Sequence, residues 1–227
     1  MSASAGVAYA GVRQRINELV ADVSDRTGDT VPACPAWRVC DLVAHVAGVV
    51  DDVLGGRLEG AGTDPWTASQ VESRRDRSVE DVLGEWNGQA PQLEGMLDSF
   101  GAAGNQMVMD AVTHEHDLRG ALGAPGARDS DAVMIGTDWL ITAYQGAAAA
   151  AGHPGVRVVA SDSGTTWEPS GAAVATVTGS SFDLLRSFSG RRTEAQVRSL
   201  SWDGDVDAAL PSLAFGPFRL PADEVDA

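Results

Sequence analysis

The chain has 227 residues, 44% of them hydrophobic and 21% charged, which is typical of a globular protein with a substantial core. Acidic residues outnumber basic ones by 32 to 16, and the net charge of −16 makes nucleic acids and anionic membranes poor partners. All 16 basic residues are arginine, so the sequence excludes lysine Schiff bases, pyridoxal phosphate bound to a lysine, and a P-loop.

Targeting signals are not evident in the sequence. No run of 18 apolar residues predicts a membrane span, and residues 1–6 lack the basic and apolar regions of a signal peptide. We therefore expect a cytoplasmic protein. Cys34 and Cys40 do not form a Cys-x-x-Cys pair, and we interpret them as ordinary reduced thiols.

Apolar residues at helical spacing predict five helices in the first part of the chain. They cover residues 7 to about 24, 39–58, 78–100, 105–122 and 130–151. Residues 25–37 and 59–77 are predicted to be irregular, because glycine, proline and polar residues interrupt the pattern. This arrangement predicts an up-down helix bundle over residues 1–152.

The pattern changes after His153. Residues 156–160 and 172–178 are predicted strands, residues 180–188 form a predicted helix, and a short helix follows at 193–198. We therefore predict an α+β protein, in which a small α+β domain over residues 153–227 follows the bundle. The acidic end, residues 221–227, is expected to fray.

Three of the four histidines lie in two predicted helices. Asp110 and His114 are four residues apart and share one helix face, and His45 interrupts an otherwise apolar helix. If the two helices are neighbours, these three side chains can converge and hold a divalent metal with one open position. Spacing alone nevertheless favours an intrahelical Asp–His pair and a packed core histidine, because such pairs are common.

The other two histidines are not expected to bind the metal. His116 lies about 200° from His114 around the helix, at about 100° per residue, so we predict that it is at the surface. His153 precedes a proline at the predicted domain boundary and is interpreted as structural.

Three stretches around these residues form longer motifs. They are Pro35-Ala-Trp37-x-x-x-Asp41-Leu-Val-Ala-His45, Asp110-x-x-x-His114-Glu-His-Asp117-Leu, and Ser180-Ser-Phe-Asp-Leu-Leu with Ser189-Gly-Arg191-Arg. In this order they resemble the mycothiol-dependent maleylpyruvate isomerase family. That family combines a DinB-like metal-binding bundle with a sterol-carrier-like C-terminal domain.

The resemblance implies a metal site with a thiol cofactor. His45, Asp110 and His114 would hold a divalent ion, zinc in the first instance, and mycothiol would take the open position. Its thiolate would add to an activated cis double bond, which then rotates, or would take part in S-transfer to a small electrophile. Arg191, or its neighbour Arg192, would bind a substrate carboxylate. The absence of lysine, typical of a high-GC genome, agrees with an actinobacterial source and hence with mycothiol.

The sequence departs from the family pattern at two positions. Asp110 stands where the family usually has glutamate, and Arg38 stands where a helix-capping serine or threonine usually follows the tryptophan. A lost cap costs about 1 kcal/mol.

Two other functions remain open at this stage. One is a carrier protein that holds an apolar ligand and keeps a structural or vestigial metal site. The other is a metal-dependent hydrolase, for which Asp41 or Asp117 is a candidate general base. The partners expected are a small-molecule substrate and a thiol, for a chain that is a monomer or a homodimer.

Overall fold

The computed structural model describes residues 3–21, 23 and 25–225. The chain divides into two compact units, Met1–Gly126 and Ala127–Ala227. The predicted α+β class is confirmed, because the first unit is mainly helical and the second combines a sheet with helices. Within the described ranges, no helix is both long and apolar enough to cross a membrane.

The first unit contains four long helices and several shorter elements. In chain order these are α1 (Ala5–Ala21), β1 (Thr30–Val31), β2 (Cys34–Arg38), α2 (Val39–Leu54), α3 (Asp64–Glu72), α4 (Val79–Glu94), a 3-10 helix (Leu97–Phe100) and α5 (Ala102–Leu122). Helix α1 contacts α4 and α5, and α2 contacts α3, α4 and α5. Their facing apolar side chains, among them Ile16, Leu42, Trp86 and Val112, are fully buried.

Two segments predicted to be irregular carry regular structure. Residues 25–37 contain the antiparallel pair β1–β2, and residues 59–77 contain α3. Helix α3 has Asp64 and Pro65 in its first turn, where a carboxylate and a proline both favour helix formation. Its residues lack an apolar face, so periodicity gave no signal for it.

The predicted helix ends also differ in places. Helix α2 stops at Leu54, before the pair Gly55–Gly56, rather than at residue 58. The predicted helix 78–100 is interrupted near Gly95, and a short 3-10 helix completes it. The predicted end of the first helix at Ser24 lies outside the described residues.

The second unit is a four-stranded sheet with helices. Its elements are α6 (Asp131–Ala150), β3 (Gly155–Ala160), β4 (Thr166–Trp167), β5 (Ala173–Gly179), α7 (Ser181–Phe188), α8 (Glu194–Arg198), β6 (Ser201–Gly204), α9 (Val206–Ala209) and a second 3-10 helix (Leu210–Leu213). The strand order is β4-β3-β5-β6, with β3 and β5 parallel and the outer pairs antiparallel.

The division into units falls earlier than the domain boundary predicted at residues 152/153. Helix α6, which we assigned to the bundle, packs on α7 and β3. Its Thr137 donates a hydrogen bond to the carbonyl of Ser181, and its Tyr144 packs edge-on against Phe188. Periodicity showed that α6 is a helix but not which neighbours cover its apolar face.

Candidate metal centre

The first unit brings the three predicted metal ligands together. The Nε2 atom of His45 lies 3.8 Å from Oδ2 of Asp110, and Nε2 of His114 lies 3.7 Å from Oδ1 of the same carboxylate. One donor atom from each of the three residues lies within 4.8 Å of the other two. Helices α2 and α5 are neighbours, which is the condition under which the sequence allowed the three side chains to converge.

The start of α2 positions His45. Strand β2 runs directly into the helix, and Arg38 is its N-cap without a capping bond from its own side chain. Asp41 compensates by accepting the backbone N–H of Arg38 at 2.9 Å and by pairing with the Arg38 guanidinium. Asp41 was a candidate general base if the protein were a hydrolase. Its carboxylate instead stabilises the N-terminus of α2.

Both histidines are buried, and each has a partner behind the ring. The Nδ1 of His45 lies 2.8 Å from Oε1 of Gln70, and the Nδ1 of His114 lies 3.1 Å from Oδ2 of Asp117. With both Nδ1 atoms engaged, the two Nε2 atoms point toward Asp110. Metal-binding histidines in proteins usually show this arrangement, with the far nitrogen held by a carboxylate, a carbonyl or water.

The environment separates the protonation behaviour of the two rings. Burial lowers the pKa of His45 to about 4, with partial compensation from the charge of Asp110. Burial also acts to lower the pKa of His114, but hydrogen bonds to Asp117 and Cys34 and the nearby charge of Asp110 outweigh it and raise the pKa to about 10. At neutral pH the metal-free cluster therefore holds one neutral and one protonated imidazole.

Trp37 covers the two imidazole rings. Its ring centroid lies 4.9 Å from that of His45 and 5.9 Å from that of His114, at tilted angles. Trp37 belongs to strand β2, which leads directly into α2. Its contacts with both rings show that it also forms a wall of the site.

A second grouping of donor atoms shares His114. Cys34, Asp117 and His114 also lie within 4.8 Å of one another, and the Sγ of Cys34 is 3.6 Å from Oδ2 of Asp117. Asp117 is already a hydrogen-bond partner of His114 Nδ1 at 3.1 Å, whereas in the first grouping the two histidine Nε2 atoms face one shared carboxylate. We therefore favour His45, Asp110 and His114 as the ligand set.

The donor set fits a divalent ion such as zinc. Zinc lies about 2.0–2.2 Å from imidazole nitrogen and carboxylate oxygen, so two of its ligand atoms are at most about 4.4 Å apart. The separations of 3.8 Å and 3.7 Å meet this limit. Two imidazoles and one carboxylate are also a known ligand set of catalytic zinc.

The other histidines and Arg191 do not belong to this group of three donor residues. The prediction that His116 is at the surface is wrong: it is 4% exposed, because α5 is buried on nearly all sides between residues 108 and 118. His153 and Arg191 belong to the second unit, where Arg191 donates to the carbonyl of Ser189. A role for Arg191 in substrate binding stays a prediction.

Two features of the site were missed from the sequence. Gln70 was hidden because its helix, α3, was not predicted, although Asp64 and Pro65 mark a possible helix start. Cys34 was interpreted as an ordinary thiol because nothing in its spacing connects it to Asp117, 83 residues away.

Comparison with known proteins agrees with the fold. Residues 8–124, more than half of the chain, match the sequence model of the DinB superfamily. Two similar solved structures are crystal structures of the mycothiol-dependent maleylpyruvate isomerase, one of them of a point mutant. Each shares 13% sequence identity and covers 89% of this chain and 93% of its own, with TM-scores of 0.61 and 0.60 for the two. No curated protein matches the sequence.

Proposed function

The chain belongs to the DinB superfamily, and from this premise we propose that it is a divalent-metal-dependent enzyme. It activates a low-molecular-weight thiol for reaction with a small electrophile. The observation that carries the proposal is the convergence of His45 and His114, from two helices, on the single carboxylate of Asp110.

Some residues of the site would bind the metal ion, and others protect the ligands from water. His45, Asp110 and His114 would hold the ion, and a bound divalent ion supplies the positive charge that deprotonates a thiol at neutral pH. Trp37 and the buried helices keep water from the histidine side. The side chain of Asp110 is 38% exposed, so a thiol would approach along this edge.

We propose mycothiol as the thiol. Cys34 and Cys40 form no disulfide in the described part of the chain, and neither belongs to the preferred ligand set. We therefore infer that the thiol is an external molecule, and the two structural neighbours are mycothiol-dependent by name. Their similarity supports the fold of this chain, and their cofactor and their isomerase reaction are carried over here as parts of the proposal.

The reaction proposed is nucleophilic addition of the thiolate to an electrophile with a conjugated double bond. Addition forms a carbon–sulfur bond, moves the π electron pair to the conjugated acceptor group, and leaves a single bond that can rotate. Expulsion of the same thiolate then restores the double bond in the trans geometry. In the S-transfer variant the whole thiol stays on the substrate, because the anion formed by addition takes up a proton instead of expelling the thiolate.

The first test is the metal content of the purified protein, measured by elemental mass spectrometry. We expect about one divalent ion per chain, lost in His45→Ala and in His114→Ala and retained in the matched control His153→Ala. The metal-loaded protein is then assayed with mycothiol and maleylpyruvate, and with glutathione in place of mycothiol.

The outcomes separate the parts of the proposal. A wild-type chain that takes up no metal after loading would overturn the enzyme proposal. Metal binding that survives loss of either histidine would overturn the ligand set. Equal rates with both thiols, or turnover with glutathione but not with mycothiol, would overturn the choice of mycothiol.

A further inference from the structure

Gln70 lies outside the predicted motifs and forms a hydrogen bond with His45, a proposed metal ligand. It lies on α3, is 2% exposed, and places its side-chain amide between His45 and Asp52. The oxygen Oε1 is 2.8 Å from Nδ1 of His45, and the nitrogen Nε2 donates to Oδ2 of Asp52 at 2.8 Å. A buried amide thus connects a proposed metal ligand to a carboxylate.

Asp52 determines which way this amide faces. Its carboxylate accepts a hydrogen bond from Nε of Arg57 at 2.9 Å, as part of an ion pair. A carboxylate only accepts hydrogen bonds, so the atom of Gln70 facing it must be the NH₂ group. The carbonyl oxygen of Gln70 therefore faces His45, and Nδ1 of His45 must carry the proton.

The packing of α3 on α2 leaves Gln70 little freedom. Gly48 lies one turn after His45 on α2, and a Cβ atom there would come within 2.5 Å of Gln70 Cβ and 2.8 Å of its Cγ. The absence of a side chain at Gly48 thus allows α3 to come close enough for the amide to reach the histidine.

We propose that Gln70 is a positioning residue that holds His45 in the tautomer with the proton on Nδ1 and the lone pair of Nε2 directed toward Asp110. Its importance for metal binding rests on the function proposed above. Without the acceptor on Gln70, the remaining acceptor facing the ring is Oδ2 of Asp110, 3.8 Å from Nε2. The proton would then move to Nε2 and block the atom that binds the metal.

The tautomer can be measured without any metal. The ¹⁵N chemical shifts of the metal-free chain at pH 7 distinguish a protonated Nδ1 from a protonated Nε2, and His45→Ala assigns the signal. We expect Nδ1–H in the wild type and a shift to Nε2–H in Gln70→Met, which keeps the side-chain length but removes the acceptor. Gln70→Glu combined with Asp52→Asn provides an acceptor for His45 without placing two carboxylates side by side, and it is expected to restore Nδ1–H.

Two further variants control for structural effects. Gln89→Met removes a glutamine of the same unit whose amide pairs with Asp51, and it should leave the His45 signal unchanged. Asp52→Asn removes the charge that orients the Gln70 amide, so a mixture of both tautomers is expected. This variant also keeps the proposal testable if Gln70→Met does not fold.

Metal affinity gives the second readout. Competition with a chelator should show that Gln70→Met weakens Zn²⁺ or Co²⁺ binding about 10-fold or more, the usual cost of losing such a partner, whereas Gln89→Met does not. An Nε2–H signal in the wild type, or Nδ1–H retained in Gln70→Met, would overturn the inference. A wild-type chain with Nδ1–H that binds no metal would instead overturn the proposed function and leave the tautomer assignment in place.

Discussion

His45 and His114 face the same carboxylate from two helices, but the groups behind them differ. Behind His45 stands the neutral amide of Gln70, and behind His114 stands the carboxylate of Asp117. Both rings are buried, so burial alone would lower both pKa values. The opposite pKa shifts of the two histidines show that the nearby charges determine which ring keeps a second proton.

This difference gives the two histidines different roles in the metal-free protein. His45 is neutral and already offers its Nε2 lone pair, so it is ready to bind a metal. His114 lies between the carboxylates of Asp110 and Asp117 and is protonated at neutral pH. Its positive charge balances part of the negative charge that a metal ion would otherwise balance. An incoming ion must displace the extra proton of His114 but has no proton to remove from His45.

The largest expected effect is on the pH dependence of stability of the metal-free chain. The pKa of His114 is raised to about 10, so its stabilising contribution is complete below the unfolded value near 6.5 and is lost as pH rises toward 10. The pKa of His45 is lowered to about 4, so its contribution is present above about 6.5 and is lost as pH falls toward 4. One proton of difference changes the free energy of unfolding by about 1.4 kcal/mol per pH unit.

Urea unfolding of the metal-free chain between pH 5 and pH 9.5 measures both slopes. In His114→Gln the fall in stability above about pH 6.5 should flatten while the fall below it remains, since the latter comes from His45. His153→Gln is the control and should change neither slope. Parallel curves for the wild type and His114→Gln above pH 6.5 would contradict the raised pKa of His114.

The next largest effect is expected from disturbing the packing of Gln70, the hydrogen-bond partner of His45. Gly48→Ala places a methyl group against Gln70, and such overpacking typically lowers the free energy of unfolding by about 1–3 kcal/mol. Gly84→Ala is the matched control, because Gly84 also lies within a helix but has nothing within 4 Å of the added Cβ. There the better helix propensity of alanine should stabilise the chain by up to about 1 kcal/mol. Urea titration distinguishes the two signs, and equal changes would show that α3 tolerates displacement.

The two sides of the site also differ in how much of them could be predicted from sequence. Asp110 and His114 share a helix face by spacing, and Asp117 follows in the same motif. His45 stood out because a histidine is costly in an apolar helix unless it has a partner. The partner of His45 could not be identified, because Gln70 lies on a short helix without an apolar face and reaches the histidine only through tertiary packing.

Prediction of the fold from the sequence is limited in the same way, because it cannot identify tertiary neighbours. Periodicity predicted the long helices and the strands β3 and β5, which bury one face of each element. It did not indicate that α6 packs within the C-terminal unit or that His116 is buried. Both facts depend on which neighbours cover a surface, and this information is not contained in the spacing of apolar residues along one helix.

The smallest expected effect comes from giving His114 a neutral amide partner like the one that His45 has in Gln70. Asp117→Asn removes the charge behind His114 but keeps an oxygen that can accept from Nδ1, as Gln70 does for His45. The pKa of His114 should then fall, because burial is no longer opposed by that carboxylate. Zinc binding should weaken by about 10-fold, because the carboxylate that hydrogen-bonds the metal ligand His114 is lost. This is the low end of the range usual for such mutations, since the substituted amide can still accept the hydrogen bond. NMR titration of the ring and chelator competition measure the two effects. A pKa that stays near 10 in Asp117→Asn would mean that Asp110 and Cys34 are sufficient to keep His114 protonated.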